Sequence, residues 1–163
     1  MLKVIENKLV FLMSLRETVV NIIHQLIKNS DVYLVDVLLS ESKIRRKITV
    51  FLDTDEGIKI DDCSKISHQL GLELEEIIDN AFVLEVSSPG ADSPLKMERQ
   101  FIKNIGRTLK VITVEEEEIK GVLVNFLNNE IEIQPEKKKK IVFDSIKIKL
   151  EKIKEAKVII SFK

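Results

Sequence analysis

The sequence predicts an α+β protein in which a two-layer N-terminal domain precedes a small all-β domain. Helical periodicities alternate with β-branched runs as far as Pro94, whereas only short strand patterns and one short helix follow it. The charge changes at the same place. Residues 1–94 hold 10 Lys or Arg and 16 Asp or Glu, whereas residues 95–163 hold 16 and 11, so their net charges are −6 and +5. We therefore expect two domains, 1–94 and 95–163.

The first domain is expected to have the element order α-β-β-α-β. Its elements are a helix over 5–28, a hairpin over 32–52 with a polar and basic loop at 40–46, a turn over 53–57, a helix capped by Asp61 or Asp62, and a strand over 82–87. The second helix buries Cys63, Ile66 and Leu70, which recur at helical spacing. These elements form a two-layer sandwich with both helices on one face of the sheet.

The second domain is expected to be a small barrel of the SH3 or Sm type. A short helix over 97–103 leads into five strand patterns, at 107–114, 119–127, 130–134, about 140–150 and 158–162. Asn128 and Asn129 form a tight turn between the second and the third of them. Five short strands without a long helix are typical of such barrels.

The composition argues against a membrane or secreted protein. No run of about 18 apolar residues lacks a charge, so no membrane-spanning segment is predicted. The apolar stretch Leu9–Leu15 is interrupted by Arg16 and Glu17, which indicates an amphipathic helix rather than a signal peptide. The single cysteine, Cys63, excludes an internal disulfide and fits a reducing compartment. We therefore expect a cytoplasmic protein.

Neither catalysis nor a cofactor is expected. The two histidines, His24 and His68, lie on predicted helices and outside any nucleophile motif. Cys63 and His68 are five residues apart, on different helix faces, and are poor candidates for one metal site. The acidic turn 53–57 lacks the glutamate that a calcium loop needs at its twelfth position, where Ser64 stands.

Two basic clusters are candidates for binding phosphate. Lys137, Lys138, Lys139 and Lys140 could hold phosphate, or could form a solvated loop that keeps strand edges from aggregating, and the pattern leaves both readings open. Arg45 and Arg46, with Lys47, lie in the predicted hairpin loop, where plain solubility is the favoured reading. Because the chain has no aromatic RNP strand and no G-x-x-G loop, neither an RRM nor typical KH binding of RNA is supported.

The segment 84–95, LEVSSPGADSPL, predicts a rigid polar elbow between the two domains. Pro89 fixes φ and Gly90 permits a positive φ, so the chain must turn at a defined angle after the strand. Serine hydroxyls and an aspartate carboxylate can satisfy the amides of such a turn. The elbow residues are Ser87, Ser88, Pro89, Gly90, Asp92 and Pro94.

The string L-E-V-S-S-P-G resembles the signature of the bacterial ribosome maturation factor RimP family, in which a D-R-P-L-like segment follows. Segments 35–37, 58–67, 101–111 and 148–162 also fit that family, so the resemblance covers nearly the whole chain. Ser93 stands where the family usually has arginine. The segment 137–147 is hard to align with it.

This resemblance implies a KH-like first domain without typical KH binding of RNA, joined to an Sm-like barrel. It implies a non-catalytic, monomeric assembly factor that binds the immature small (30S) ribosomal subunit near the decoding region, contacting ribosomal RNA and a ribosomal protein. The acidic domain would face the basic protein and the basic barrel would face RNA. Candidate contacts are Arg45, Arg46, Lys96, Arg99, Lys103, Arg107 and Lys137–Lys140. The alternatives are a sequence-independent RNA-binding barrel that acts outside the ribosome and, in another class, an enzyme.

Overall fold

The protein forms two compact units, Met1–Pro89 and Gly90–Lys163. The structure, a computed structural model, describes residues 2–41, 45–90 and 93–160. Helices and two separate sheets occur together in it, which confirms the α+β class.

The first unit has the element order α-β-β-α-β. Its elements are α1 (Leu2–Ile27), β1 (Tyr33–Glu41), β2 (Arg46–Asp53), α2 (Ile60–Ile77) and β3 (Phe82–Ser87). The strand order is β1-β2-β3, and β2 is the central strand. It pairs antiparallel with β1 and parallel with β3, which α2 connects to it.

The core of the first unit lies between its sheet and its two helices. Alternation along β2 places Ile48, Val50 and Leu52 on one face, where all three are completely buried. Both helices bury a stripe at helical spacing against this same face, formed by Leu15, Val19, Ile23 and Ile27 of α1 and by Ile66, Leu70 and Leu74 of α2. Most of the unit's stability therefore comes from one aliphatic layer.

The start of α2 differs from the prediction. The helix begins at Ile60 after Lys59, which makes no side-chain cap, so Asp61 and Asp62 lie in its first turn, where their charges favour the positive end of the helix dipole. The acidic turn before it is ordered by Asp53, whose Oδ1 accepts the N–H groups of Thr54 and Ile58 at 2.9 and 3.2 Å. This turn brings the chain into the helix earlier than an aspartate cap would.

Helix α1 is long and apolar enough, by length and composition alone, to cross a membrane. No such segment was expected from the sequence. The same test is passed by core helices of soluble proteins and by N-terminal signal sequences, so it is weak support for a span. The C-terminal half of α1 buries Val19 and Ile23 in the core, whereas the N-terminal half exposes apolar side chains, among them Leu2, Leu9 and Val10.

The second unit is a single antiparallel sheet with a short helix. Its elements are α3 (Glu98–Lys103), β4 (Thr108–Thr113), β5 (Glu118–Leu127), β6 (Glu130–Pro135), β7 (Ile146–Lys149) and β8 (Ile153–Val158). The strand order is β7-β6-β5-β4-β8. Asn128 and Asn129 both have a positive φ, of 52° and 58°, in the predicted tight turn between β5 and β6.

The sheet of the second unit is open, so the predicted closed barrel is not found. Its outer strands, β7 and β8, do not pair with each other within the described residues. The strand expected over 140–150 is confined to Ile146–Lys149 because the lysine run before it forms a turn. The strand expected over 158–162 lies instead at Ile153–Val158, since the chain enters it directly from a 3-10 turn at Leu150–Lys152. Residues 161–163 lie outside the described residues.

One face of this sheet encloses a second aliphatic core. Residues that alternate along β4 and β6, such as Leu109, Val111 and Ile133, are completely buried. Helix α3 adds Phe101, whose ring stacks on Phe126 with the ring centroids 5.6 Å apart. The short helix thus belongs to the core of the second unit.

Strands β5 and β6 approach each other unusually closely at Gly121. A Cβ atom on this residue would lie 2.3 Å from the carbonyl oxygen of Gln134 and 2.6 Å from Cγ2 of Ile133. The first neighbour is a backbone atom, which cannot rotate away. Only glycine therefore allows this register of β5 on β6.

Gly121→Ala should lower the free energy of unfolding by about 1–3 kcal/mol, because the added methyl group must push the two strands apart. Gly71→Ala is the matched control. Gly71 lies inside α2, and its Cβ would meet only Cδ2 of Leu84 at 3.8 Å, so alanine should be neutral or stabilising by up to about 1 kcal/mol. Thermal unfolding followed by circular dichroism compares the two variants. Equal melting temperatures for wild type and Gly121→Ala would contradict the close approach.

Candidate nucleic-acid interface

The four consecutive lysines lie on a tight turn between β6 and β7. The N–H of Ile141 donates to the carbonyl oxygen of Lys138 at 3.1 Å, and Lys139, inside this turn, has a φ of +60°. A left-handed conformation costs a residue other than glycine about 1 kcal/mol or more. All four side chains are exposed. The turn, defined as Lys137–Lys140 and called the lysine turn below, therefore concentrates positive charge in a strained conformation.

The lysine turn differs in its partners from four other lysines of its unit. Lys110, Lys120, Lys154 and Lys157 each lie within 4.0 Å of a glutamate carboxylate. In the part of the chain that the structure describes, no such carboxylate lies beside a lysine of the turn. Its charge is therefore available to an external anion.

An open cavity of about 440 Å³ lies beside the lysine turn. Its apolar lining comes from Ile119, Pro135, Phe143 and Ile146, and its charged lining from Glu118, Lys120, Glu136, Lys137 and Lys138. This cavity was not predicted from the sequence. The apolar Ile-Val-Phe that follows the lysines was its one signal, and strand periodicity alone assigned those residues to a strand.

The loop that carries Phe143 is tied to β6 by two side-chain hydrogen bonds. Nε2 of Gln134 donates to the carbonyl oxygen of Phe143 at 2.6 Å. The hydroxyl of Ser145 donates to Oε1 of Glu132 at 2.7 Å. The loop therefore has a defined position beside the sheet, although it forms no strand there.

The basic residues around α3 form a second group. Lys96, Arg99 and Lys103 are exposed; Arg99 and Lys103, four residues apart, lie on one face of α3, and Lys96 precedes the helix. Arg107 is exposed in the turn after α3, where its N–H donates to the carbonyl oxygen of Asn104 at 3.1 Å. The start of the helix is fixed by Gln100, whose Oε1 accepts the N–H groups of residues 96 and 97 at 2.7 and 2.9 Å.

The two hairpin arginines have different environments. Arg46 is not in the predicted loop, because it opens β2 and pairs with Glu41. Its Nη2 donates to Oε1 of Glu41 at 2.9 Å, its guanidinium lies 4.8 Å from the ring centroid of Phe11, and its side chain is 11% exposed. Arg45 precedes the strand and is exposed. Residues 42–44 of the hairpin loop lie outside the described residues.

The residues of the predicted elbow follow β3 directly. Ser87 ends the strand and pairs with Phe51, and Ser88, Pro89 and Gly90 continue outside any helix or strand. The N–H of Ser93 donates to the carbonyl oxygen of Gly90 at 2.9 Å. Pro94 is partly buried in the second unit. Asp92 lies outside the described residues, and the elbow itself stays a prediction.

Cys63 and the two histidines, which were weighed above for catalysis or metal binding, differ in their burial. Burial, together with the nearby Asp62 and Asp53 carboxylates, raises the pKa of the Cys63 thiol, which therefore stays protonated and unreactive at neutral pH. His24 and His68 are exposed. No cluster of three or more potential metal ligands occurs among residues 2–41, 45–90 and 93–160.

Comparison with known proteins defines the class of this protein. Residues 22–92 match the RimP N-terminal domain, so a RimP-type α+β unit here precedes a basic all-β unit. A ribosome maturation factor RimP of Cytophaga hutchinsonii is 38% identical over 150 residues, which cover 83% of this chain and 90% of the relative. One of Flavobacterium psychrophilum is 36% identical over 160 residues, covering 92% and 100%. The chain belongs to the ribosome maturation factor RimP family.

Arg46→Ala should lower the free energy of unfolding by about 1–3 kcal/mol, because it removes the charged hydrogen bond to Glu41 and the contact of the guanidinium with the ring of Phe11. Arg45→Ala, at the exposed neighbouring position, should change it by less than about 0.5 kcal/mol. Chemical denaturation measures both. If Arg46→Ala kept full stability and reduced the salt dependence of RNA binding, Arg46 would be an RNA contact rather than a structural residue.

Proposed function

We propose that this protein is a non-catalytic assembly factor that binds the immature small (30S) ribosomal subunit and promotes its maturation. The observation that carries the proposal is its similarity, over most of its length, to proteins named ribosome maturation factor RimP. The raised pKa of the Cys63 thiol and the exposure of both histidines support a binding role over a catalytic one. The partners are ribosomal RNA and a ribosomal protein near the decoding region, and the protein works in the cytoplasm as a monomer.

The finer fold assignments are part of this proposal. The α-β-β-α-β order and the helices on one sheet face support a KH-like first domain. Five short antiparallel strands around one core support an Sm-like second domain, even though the sheet is open. The compact units divide between Pro89 and Gly90, a few residues before the proposed domain boundary at 94/95. Both divisions assign Leu95 to the second domain, where its N–H donates to the carbonyl oxygen of Ala156 at 2.8 Å.

RNA should bind to the basic second domain and the ribosomal protein to the acidic first domain. Several cations of the first domain are engaged within it, since Arg16, Arg46 and Lys47 lie within 3.5 Å of a carboxylate of the same unit. In the second domain the lysine turn offers four charges without carboxylate partners among the described residues. Local charge and net charge therefore favour the same assignment.

The fragments 1–94 and 95–163, expressed separately, should each fold, because each has its own buried core. Cooperative thermal unfolding of each fragment measures this.

The 95–163 fragment should also bind small-subunit RNA more tightly than the 1–94 fragment at every salt concentration. Tighter binding by the acidic fragment would overturn the assignment of RNA to the second domain.

The full chain should co-sediment with free small subunits in a sucrose gradient of cell lysate. Replacing all four lysines of the turn by serine should weaken this association and flatten the slope of log affinity against log salt by up to about three units. It should leave the melting temperature nearly unchanged, because the turn is exposed. Lys59→Ser with Lys65→Ser, at exposed positions of the first unit, is the control.

Sedimentation also separates the proposal from its main competitor. If the protein bound RNA with the expected salt dependence but sedimented away from small subunits, it would be an RNA-binding protein that acts outside the ribosome. An unchanged slope in the four-lysine variant would remove the lysine turn from the interface.

A further inference from the structure

We propose that the cavity beside the lysine turn is a nucleobase pocket, and that this end of the sheet binds a single-stranded segment of RNA. The ring of Phe143 stacks on a base, and the lysine turn holds the adjoining phosphates. The inference rests on the proposed RNA-binding function of the second domain and names the site and the form of RNA that it takes.

The cavity opens at the end of the sheet where its core is incompletely covered. Ile146 pairs with the buried Ile133, and Ile119 pairs with the buried Val111, so both belong to the inner face of the sheet. Pro135, the last residue of β6, lies on the same face opposite Gly121. The apolar lining is thus a continuation of the core that remains open to solvent, and a flat apolar ligand would cover it.

Phe143 gives this cavity an aromatic surface, which a purely aliphatic cavity would lack. Its side chain is 39% exposed, and the two hydrogen bonds from Gln134 and Ser145 hold its loop in place. A base can therefore stack on the ring without first ordering the loop. Stacking on a single aromatic ring tolerates any base, because every base has a π-face.

The charges around the pocket suit a phosphate chain. Lys137 and Lys138 are at its rim and continue into Lys139 and Lys140. Nζ of Lys120 lies 3.5 Å from Oε1 of Glu136, so the glutamate beside the turn is already paired. A ligand that places a base on Phe143 thereby brings negative charge to a row of lysines, which is the pattern of single-stranded nucleic-acid sites.

RNA suits this site better than an apolar protein segment does. The apolar lining alone would accept a leucine or phenylalanine side chain, but a protein segment would also need several carboxylates in a row to match the lysine turn. A nucleotide chain provides a flat ring and a charge at every residue. Single-stranded RNA is required because the bases of a duplex are stacked inside it.

The test compares a short oligouridylate with an abasic ribose-phosphate oligomer of the same length. Fluorescence anisotropy measures the binding of each to the full-length protein at several salt concentrations. Phe143→Ala should weaken binding of oligouridylate about tenfold and leave binding of the abasic oligomer unchanged, because the phosphate contacts remain. Replacing the four lysines by serine should weaken both oligomers and lower both salt slopes.

Two control variants keep the result specific. Val142→Ala removes a 65% exposed apolar side chain of the same loop that does not line the cavity, and it should bind both oligomers as the wild type does. Phe143→Leu keeps an apolar side chain and removes the aromatic ring, so it should resemble Phe143→Ala in losing preference for oligouridylate. Circular dichroism melting curves confirm that each variant is folded.

The outcomes separate this inference from the proposed function. If Phe143→Ala weakened both oligomers equally, or neither, the pocket would not bind a base, although the phosphate contacts and the proposed function could stand. If wild type preferred oligouridylate no more than the abasic oligomer, the pocket would be overturned as well. If neither oligomer nor small-subunit RNA bound the wild type, the RNA-binding function itself would fail.

Discussion

The position of the candidate RNA site depends on one backbone contact, between Gly121 of β5 and the carbonyl group of Gln134 of β6. Because glycine has no Cβ at this point, the two strands stay in register as far as Pro135. One further backbone hydrogen bond follows, from the N–H of Glu136 to the carbonyl oxygen of Lys120 at 3.1 Å. The chain then leaves the sheet into the lysine turn. The same contact therefore determines the position of Pro135, which lines the cavity, and the position at which the lysine turn begins.

The conformation of the lysine turn bears on its function. A sequence of four lysines repels itself, and Lys139 adds the strain of a left-handed φ, so the turn contributes little to folding. Protection of an edge strand is the other role that the pattern allowed. The edge strand β7 already presents its own exposed lysines, Lys147 and Lys149. Edge protection therefore does not require the lysine turn.

Local periodicity predicted most of the fold and little of the site. The α+β class and the buried stripe of α2 follow from residue spacing, because apolar side chains recur at the period of the element whose inner face they cover. The shift of the last strand to Ile153–Val158 depends on a 3-10 turn that has no strong sequence signal. Barrel closure depends on whether β7 and β8 meet, which is a question of long-range geometry.

The site residues needed tertiary information for the same reason. The sequence suggests that Arg46 is a cation in a loop. Only the pairing of β1 with β2 and the position of α1 beside it place its side chain between Glu41 and Phe11. Phe143 looks like a strand residue, and only two side-chain hydrogen bonds hold it beside the lysine turn. Sequence patterns give the number and spacing of charged and apolar residues along the chain. They do not show which residues of other elements become the partners of those residues.

Partners, rather than the number of charges, therefore decide which basic residues can contact RNA. The hairpin arginines and Lys47 form a basic run as dense as the lysine turn, yet Arg46 and Lys47 each lie within 3.1 Å of a carboxylate. Moving such a cation to a phosphate gives up its existing partner, and the nearly buried Arg46 would also lose its contact with the ring of Phe11. The lysine turn has no such partner to lose within the described residues. A phosphate bound there would release counterions without breaking an existing ion pair, so the difference in partners favours the second domain in the same direction as the difference in net charge does.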